Sequence, residues 1–255
     1  MGLYAITGGA TGIGAAIKQQ LRDARHQVLV IDIAGDDTDI QADLSSAEGR
    51  LAAIDAIKAA APDGLDGWVP CAGVGPHVSD KTLIAKLNYF GATEMTGALR
   101  DLLGKRKGSI CLISSVSAAM TEQTPLVEAM LSGDEAKAVD LCEAQDAQTI
   151  YASTKRAITV WMRRSVTDLA QQGIRINAVA PGYIDTPLNA AAEKDPVYGP
   201  MIRDFLAATP AGCGGEAGDI AEAVCFLLSP AAKFIYGSLL FADGGHDAMS
   251  RPENF

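Results

Sequence analysis

The feature that most constrains this chain is a steady alternation of short apolar runs with helix-periodic stretches. LYAIT (3–7) has the pattern of a buried strand, ATGIGAAIKQQLRDA (10–24) has helical periodicity, and QVLVID (27–32) is a second strand. GWVPCAG (67–73), SICLISS (109–115), IRINAVAP (174–181) and SLLFADGG (238–245) continue the strand series. Between them, Ser45 is expected to cap a helix running to about Ala60, with Glu48 as its capping-box partner. A further helix is expected around Tyr151. Such alternation predicts parallel strands joined by right-handed helical crossovers, with both sheet faces covered.

A glycine-rich turn follows the first strand. In TGGATGIG (7–14), Gly8, Gly12 and Gly14 allow a sharp turn, close approach of backbone to a pyrophosphate, and tight packing of the next helix. Thr11 and Ile13 lie between them, where the helix N-terminus offers unpaired N–H groups and partial positive charge. The spacing is G-x-x-x-G-x-G, so its placement between strand and helix carries the weight. The expected fold class is α/β: a single Rossmann-type doubly wound parallel sheet flanked by helices on both faces, in one domain over residues 1–255.

Asp32 ends the second strand, twenty residues after Gly12. A carboxylate there accepts hydrogen bonds from a ribose 2′-OH and repels a 2′-phosphate. Thr11 and Ile33 bring no cation, so the expected cofactor is NAD, not NADP. Asp43 and Leu44 are read either as adenine contacts or as a helix-start Asp beside a core Leu.

Composition excludes several classes. With 21 basic and 31 acidic side chains the formal charge is −10, which repels a nucleic-acid partner. No apolar run is long enough to span a membrane, and the MGLYAITGG start is neither a signal peptide nor a myristoylation site. The five cysteines form no C-x-x-C pair, and His26, His77 and His246 are scattered. These observations argue for a cytoplasmic protein without disulfides or a metal site.

TGGATGIG, Asp32, Asn88, the Ser114–Ser115 pair, YASTK (151–155) and PGYIDTP (181–187) stand in one order along nearly the whole chain. Together they resemble the short-chain dehydrogenase/reductase family. More narrowly, CAGVGP (71–76), NYFGATE, the long segment before Tyr151 and DGGHDAMSRP are similar to its bacterial 3α-hydroxysteroid dehydrogenase/carbonyl reductase branch. Position by position, the resemblance implies a catalytic tetrad of Asn88, Ser115, Tyr151 and Lys155, with Ser114 the alternative serine. It implies cofactor contacts from Cys71, Ala72 and Gly73, from Tyr151 and Lys155, and from Pro181, Gly182, Ile184 and Thr186 around the nicotinamide. The family usually has N-N-A-G where this chain has Pro70-Cys71-Ala72-Gly73. That removes two side-chain ties between central strands and leaves Cys71 an expected packing residue.

The implied chemistry is hydride transfer between an alcohol carbon and nicotinamide, with a tyrosine as acid/base. On a helix Tyr151 and Lys155 share one face, about 5–6 Å apart at Cβ. The ammonium and the positive nicotinamide are expected to lower the phenol from about 10 to near 7–8, which asks roughly 3–4 kcal/mol. Ser115 would steady the substrate oxygen, and Asn88, through a water, would link Lys155 to solvent. A catalytically silent NAD sensor is the rival, but all four tetrad positions are filled. The Tyr–Lys spacing does not fit an enoyl reductase.

Residues 188–208 mix Leu, Ala, Met and Phe with few charges, which predicts a lid over a mostly apolar pocket. A small hydrophobic alcohol or ketone is the expected substrate, a steroid or a cyclic monoterpenol among the candidates. Residues 118–149 form an insertion with two helix-forming stretches. It is either a surface excursion or a cover over the helix flank through which the family often associates. The expected assembly is a homodimer through about 219–241.

Overall fold

Seven parallel strands form the central sheet in the order β3-β2-β1-β4-β5-β6-β9. They are β1 (Leu3–Thr7), β2 (Gln27–Asp32), β3 (Ile40–Gln41), β4 (Gly67–Pro70), β5 (Ser109–Ile113), β6 (Arg175–Pro181) and β9 (Leu239–Ala242). The short strands β7 (Ile184–Asp185) and β8 (Gly215–Glu216) pair separately. The structure, a computed structural model, describes residues 1–196 and 198–254. Val197, inside the expected lid, and Phe255 lie outside the described residues.

Successive strand side chains point to opposite faces, and the sequence sorts them accordingly. In β5, Ile110 and Leu112 enter one core, while Cys111 and Ile113 enter the other. The second core is closed by α1 (Gly12–Asp23) and a late helix at Ala217–Leu228, through Ile17, Leu21, Ile220 and Val224. The first core holds the buried Trp68, Tyr89 and Phe90. Trp68 Nε1–H donates to Thr96 Oγ1 at 2.8 Å, so the buried indole is satisfied. This core is covered by α2 (Ala47–Ala60), α3 (Thr82–Ala85), a π-helical turn (Lys86–Gly91), α4 (Ala92–Ala98) and α5 (Arg100–Arg106).

After β5 come α6 (Ser117–Met120), α7 (Pro125–Leu131), α8 (Glu135–Cys142) and the long α9 (Ala147–Gln171). The chain then forms α10 (Pro187–Glu193), α11 (Tyr198–Ala208), α12 (Ala217–Leu228) and α13 (His246–Ser250). The expected insertion is thus two short helices, α7 and α8, with Leu126, Val127, Met130 and Cys142 buried against the first core. The expected lid is α10 and α11.

Several expected boundaries shift. The β4 and β5 strands end at Pro70 and Ile113, before the glycine and serines that were assigned to them. The cap of α2 is Ser46, not Ser45: Ser46 Oγ accepts from Gly49 N–H at 3.0 Å. Ser45 is instead held by Asp43, whose Oδ1 accepts from both the Ser45 N–H and hydroxyl, and the helix begins one residue later. The sheet order reverses direction between β1 and β4, so a crevice opens at their carboxyl ends.

Candidate active site

That crevice is a cavity of about 310 Å³. Of the expected cofactor contacts, Gly8, Thr11, Gly12, Ile13, Gly14, Asp32, Ile33, Asp43, Leu44, Cys71, Ala72, Gly73 and Thr186 line it. Ala42, Val74, Leu83, Leu87, Pro187 and Leu188 also line it and were not singled out. Pro181, Gly182, Ile184, Tyr151 and Lys155 lie outside this cavity's wall. Asp43 and Leu44 face the cleft, Leu44 is buried, and Asp43 shapes the turn before α2.

The glycine loop takes its shape from two contacts. Gly8 has φ +70°, and a Cβ there would lie 2.7 Å from Ala72 Cα. A Cβ on Gly14 would lie 2.0 Å from Gly8 O, so the helix can approach the loop only without a side chain. Thr11 makes no side-chain cap bond and the first turn of α1 has no acidic residue, leaving the positive helix end free for an anion. Asp32 Oδ2 accepts from Ala10 N–H at 2.9 Å and Oδ1 from Ile33 N–H at 2.7 Å. Each oxygen keeps acceptor capacity for a diol. A free helix terminus beside a carboxylate in one cleft fits a dinucleotide with an unphosphorylated ribose.

Beside this cleft the end of β5 faces α9. Ser115 hydrogen-bonds the Tyr151 phenol, and Ser115 Oγ accepts from Ser117 N–H at 3.3 Å. Lys155 Nζ donates to Ile113 O at 2.9 Å and stands 5.5 Å from the centre of the Tyr151 ring. Ser114 Oγ instead meets Thr159 Oγ1 and Lys155 O, further along α9 than the Tyr151 phenol. Asn88 sits in the π-helical turn, a geometry frequent at functional sites. Its Oδ1 accepts from Val74 N–H at 2.8 Å and its Nδ2 donates to Val74 O at 2.9 Å, fixing the loop after β4.

The electrostatics depart from expectation. The side chain of Tyr151 is partly open, yet its hydroxyl lies deep, and burial pushes the phenol above its ordinary value despite the Ser115 hydrogen bond. The expected lowering is therefore not a property of the free chain. Burial also lowers Lys155 to about 8, with the Cys71 thiol opposing. Burial pushes Cys71 itself up to about 12. Two desolvated groups side by side explain both directions: each disfavours its own charged form more than its neighbour restores it.

Residues missed at the sequence level tie α10 and α11 to this site. Asn189 Nδ2 donates to Ile184 O at 2.8 Å, and its N–H donates to Thr186 Oγ1 at 3.4 Å. The T-x-x-N spacing was a helix-start signal that could have flagged it. Tyr198 OH donates to Pro76 O at 3.2 Å, tying α11 to the loop after β4. Tyr183 OH donates to Glu193 Oε1 at 2.5 Å. His246 stacks on Phe205 of α11 at 3.9 Å. Among the described residues no group of three or more His, Cys, Asp or Glu is placed to hold a metal ion. No described helix is long and apolar enough to cross a membrane.

Two family profiles match the chain: "short chain dehydrogenase" over residues 3–125 and "Enoyl-(Acyl carrier protein) reductase" over residues 139–247. The 3-alpha-hydroxysteroid dehydrogenase/carbonyl reductase of Comamonas testosteroni is 40% identical over 261 residues, covering 100% of both chains. The cis-4-hydroxycyclohexanecarboxylate dehydrogenase of Sinomonas cyclohexanicum is 29% identical, covering 96% of each. Among solved structures, the 3-alpha-hydroxysteroid dehydrogenase from Pseudomonas sp. B-0831, complexed with NADH, superposes with a TM-score of 0.95 at 43% identity. That match covers 99% of this chain and 100% of the other. Full-length identity of this order, on a fold with the glycine loop and the Ser–Tyr–Lys cluster in place, shows that the chain belongs to the short-chain dehydrogenase/reductase family of oxidoreductases.

Proposed function

We propose that this chain is an NAD-dependent oxidoreductase that interconverts a hydrophobic secondary alcohol and its ketone, with a 3α-hydroxysteroid as first candidate. One observation carries it: Ser115, Tyr151 and Lys155 converge beside a cleft whose far end presents Asp32. The relatives' 3-alpha-hydroxysteroid activity and the NADH in the Pseudomonas structure support substrate class and cofactor. Gly8, Gly12, Gly14 and Asp32 would hold the dinucleotide, with Lys155 and Thr186 toward its nicotinamide half. When bound, NAD(H) supplies the hydride acceptor or donor.

The protein's part is proton handling and orientation. In carbonyl reduction the Tyr151 phenol gives its proton to the forming alkoxide, while Ser115 holds the same oxygen. In alcohol oxidation the Tyr151 phenolate takes the hydroxyl proton. Lys155 stabilises that phenolate, and Asn88 opens the water-mediated route by which the proton leaves. Burial keeps Tyr151 a phenol in the free chain, the form that reduction uses.

The apolar substrate is supported by Met120, Leu188 and Met201, large side chains left exposed at the end of α6 and on the lid helices. The homodimer is supported by Phe226, Phe234, Tyr236 and Leu240, all exposed within 219–241, with Phe234 at 95%. Helix α7 packs on the flank of α9, with α8 behind it against α7 and α3. Cytoplasmic residence is supported by five unpaired thiols.

The deciding experiment is Tyr151→Phe assayed with NAD and a 3α-hydroxysteroid. Turnover should fall by at least about a thousandfold while NADH affinity holds. Undiminished turnover would remove the acid/base assignment.

A further inference from the structure

Three consecutive residues at the end of β5 each hold a different part of the Tyr151–Lys155 turn. Ile113 O accepts from Lys155 Nζ at 2.9 Å, and Ser115 bonds the Tyr151 phenol. Between them, Ser114 Oγ lies 2.8 Å from Thr159 Oγ1 and 3.4 Å from the carbonyl oxygen of Lys155. Thr159, one turn beyond Lys155, donates its hydroxyl to that same carbonyl at 2.8 Å.

The protons of this network can be assigned. The single hydroxyl proton of Thr159 lies on Lys155 O, so Ser114 is the donor in the Ser114–Thr159 contact and shares its proton with Lys155 O. Both residues are buried, at 2% and 6% exposure. Ser114 is itself anchored to the neighbouring strand, its N–H donating to Val179 O at 2.8 Å. The sheet thus grips the backbone of the lysine through one pair of hydroxyls and its ammonium through one carbonyl.

We infer that Ser114 and Thr159 are a positioning pair: they clamp the Lys155 backbone to the ends of β5 and β6 and so fix its ammonium relative to Tyr151. This rests on the proposed acid/base role of Tyr151 and Lys155, and it gives Ser114 a task separate from that of Ser115. The charge on Lys155 acts on the phenol across a short gap, so displacement by about 1 Å moves the phenol's titration by a few tenths of a pH unit. The groups facing Lys155 are Tyr151 on its own helix and the Cys71 thiol from the end of β4. None of the substitutions below alters them.

The test compares Thr159→Val, which keeps the shape and loses the hydroxyl, with Thr159→Ser, which keeps the hydroxyl, alongside Ser114→Ala. Rates of 3α-hydroxysteroid oxidation are followed against pH, and NADH binding is measured by fluorescence. T159V and S114A should lose about tenfold in kcat and move the rising limb of the profile upward by a few tenths of a pH unit. NADH affinity should stay within about twofold, and T159S should restore both limb and rate. The double variant should be little worse than either single one, because both act on one network. A wild-type limb and rate in T159V would overturn the clamp, however far its melting temperature falls; should S114A fail to fold, T159V against T159S decides alone. Failure of the acid/base assignment would show separately, as retained turnover in Y151F.

Discussion

Lys155 sets its ammonium 5.5 Å from the centre of the Tyr151 ring, inside protein that lowers the lysine to about 8. A lysine whose folded pKa is depressed destabilises the fold while it is charged. The unfolded chain binds the proton more tightly, so this cost is fully present below about pH 8 and fades as pH rises toward 10.5. The size is on the order of 3 kcal/mol at pH 7. Lys155→Met should therefore raise the melting temperature of the cofactor-free protein at pH 7 and raise it much less at pH 10, while abolishing turnover. An equal gain at both pH values would show that the ammonium is not strained.

The direction of the Tyr151 shift gives a second expectation. Burial holds the phenol above its ordinary value, so at neutral pH the free enzyme carries the proton that reduction spends. Alcohol oxidation should quicken as pH rises toward 9–10 (roughly the unperturbed tyrosine range), whereas carbonyl reduction should hold level or decline. Initial rates in both directions with one alcohol–ketone pair measure this. Coincident profiles would contradict it.

Asp32 should decide the cofactor. Its two oxygens hold Ala10 N–H and Ile33 N–H and face the cleft. Asp32→Ala should weaken NADH binding about 10–100-fold and raise the NADPH-to-NADH ratio of kcat/KM at least about tenfold, by removing repulsion. Titration with both reduced cofactors reads it. An unchanged ratio would place the discrimination elsewhere.

How much of this could be read from the chain depends on sequence distance. The glycine loop, Asp32 and Tyr151–Lys155 were legible because each is a local pattern whose chemistry follows from its neighbours. The choice of Ser115 over Ser114 rests on the family pattern and not on the residues alone. The sign of the Tyr151 shift was not legible: burial is summed over elements that meet only in the fold. Thr159 looked like one more helix residue until β5 was laid against it. The capping slip from Ser46 to Ser45 has a local cause, since adjacent serines compete and Asp43 takes the first.

Arg50 shows the same limit and carries its own expectation. From α2 it reaches Glu94 and Glu135 at 2.6 Å each, and it also donates to Leu44 O and Ser45 O, with its side chain 2% exposed. It thereby fastens the inserted α8 to the core. Arg50→Met strands two carbonyls but leaves the partly exposed carboxylates access to water, for a cost of about 3 kcal/mol and a fall in melting temperature of roughly 6–12 °C. Proteolysis should begin within 118–149. Cleavage elsewhere first would deny Arg50 that fastening role.

Tyr198 ties α11, part of the proposed lid, to the loop after β4 by a hydrogen bond from its hydroxyl to Pro76 O at 3.2 Å. Its ring stays in place in Tyr198→Phe, so only that tie is lost, and a partly exposed neutral hydrogen bond contributes about 0.5–1.5 kcal/mol. If the closed lid is what confines an apolar substrate, KM for the alcohol should rise about threefold to tenfold. NADH affinity should hold, because among the described residues α11 contributes none to the cleft lining. Where lid opening limits turnover, kcat should rise in the same variant. Steady-state kinetics on Y198F separates these outcomes, and an unchanged KM would mean that α11 is held down by the His246–Phe205 stack and its other packing without help from Tyr198.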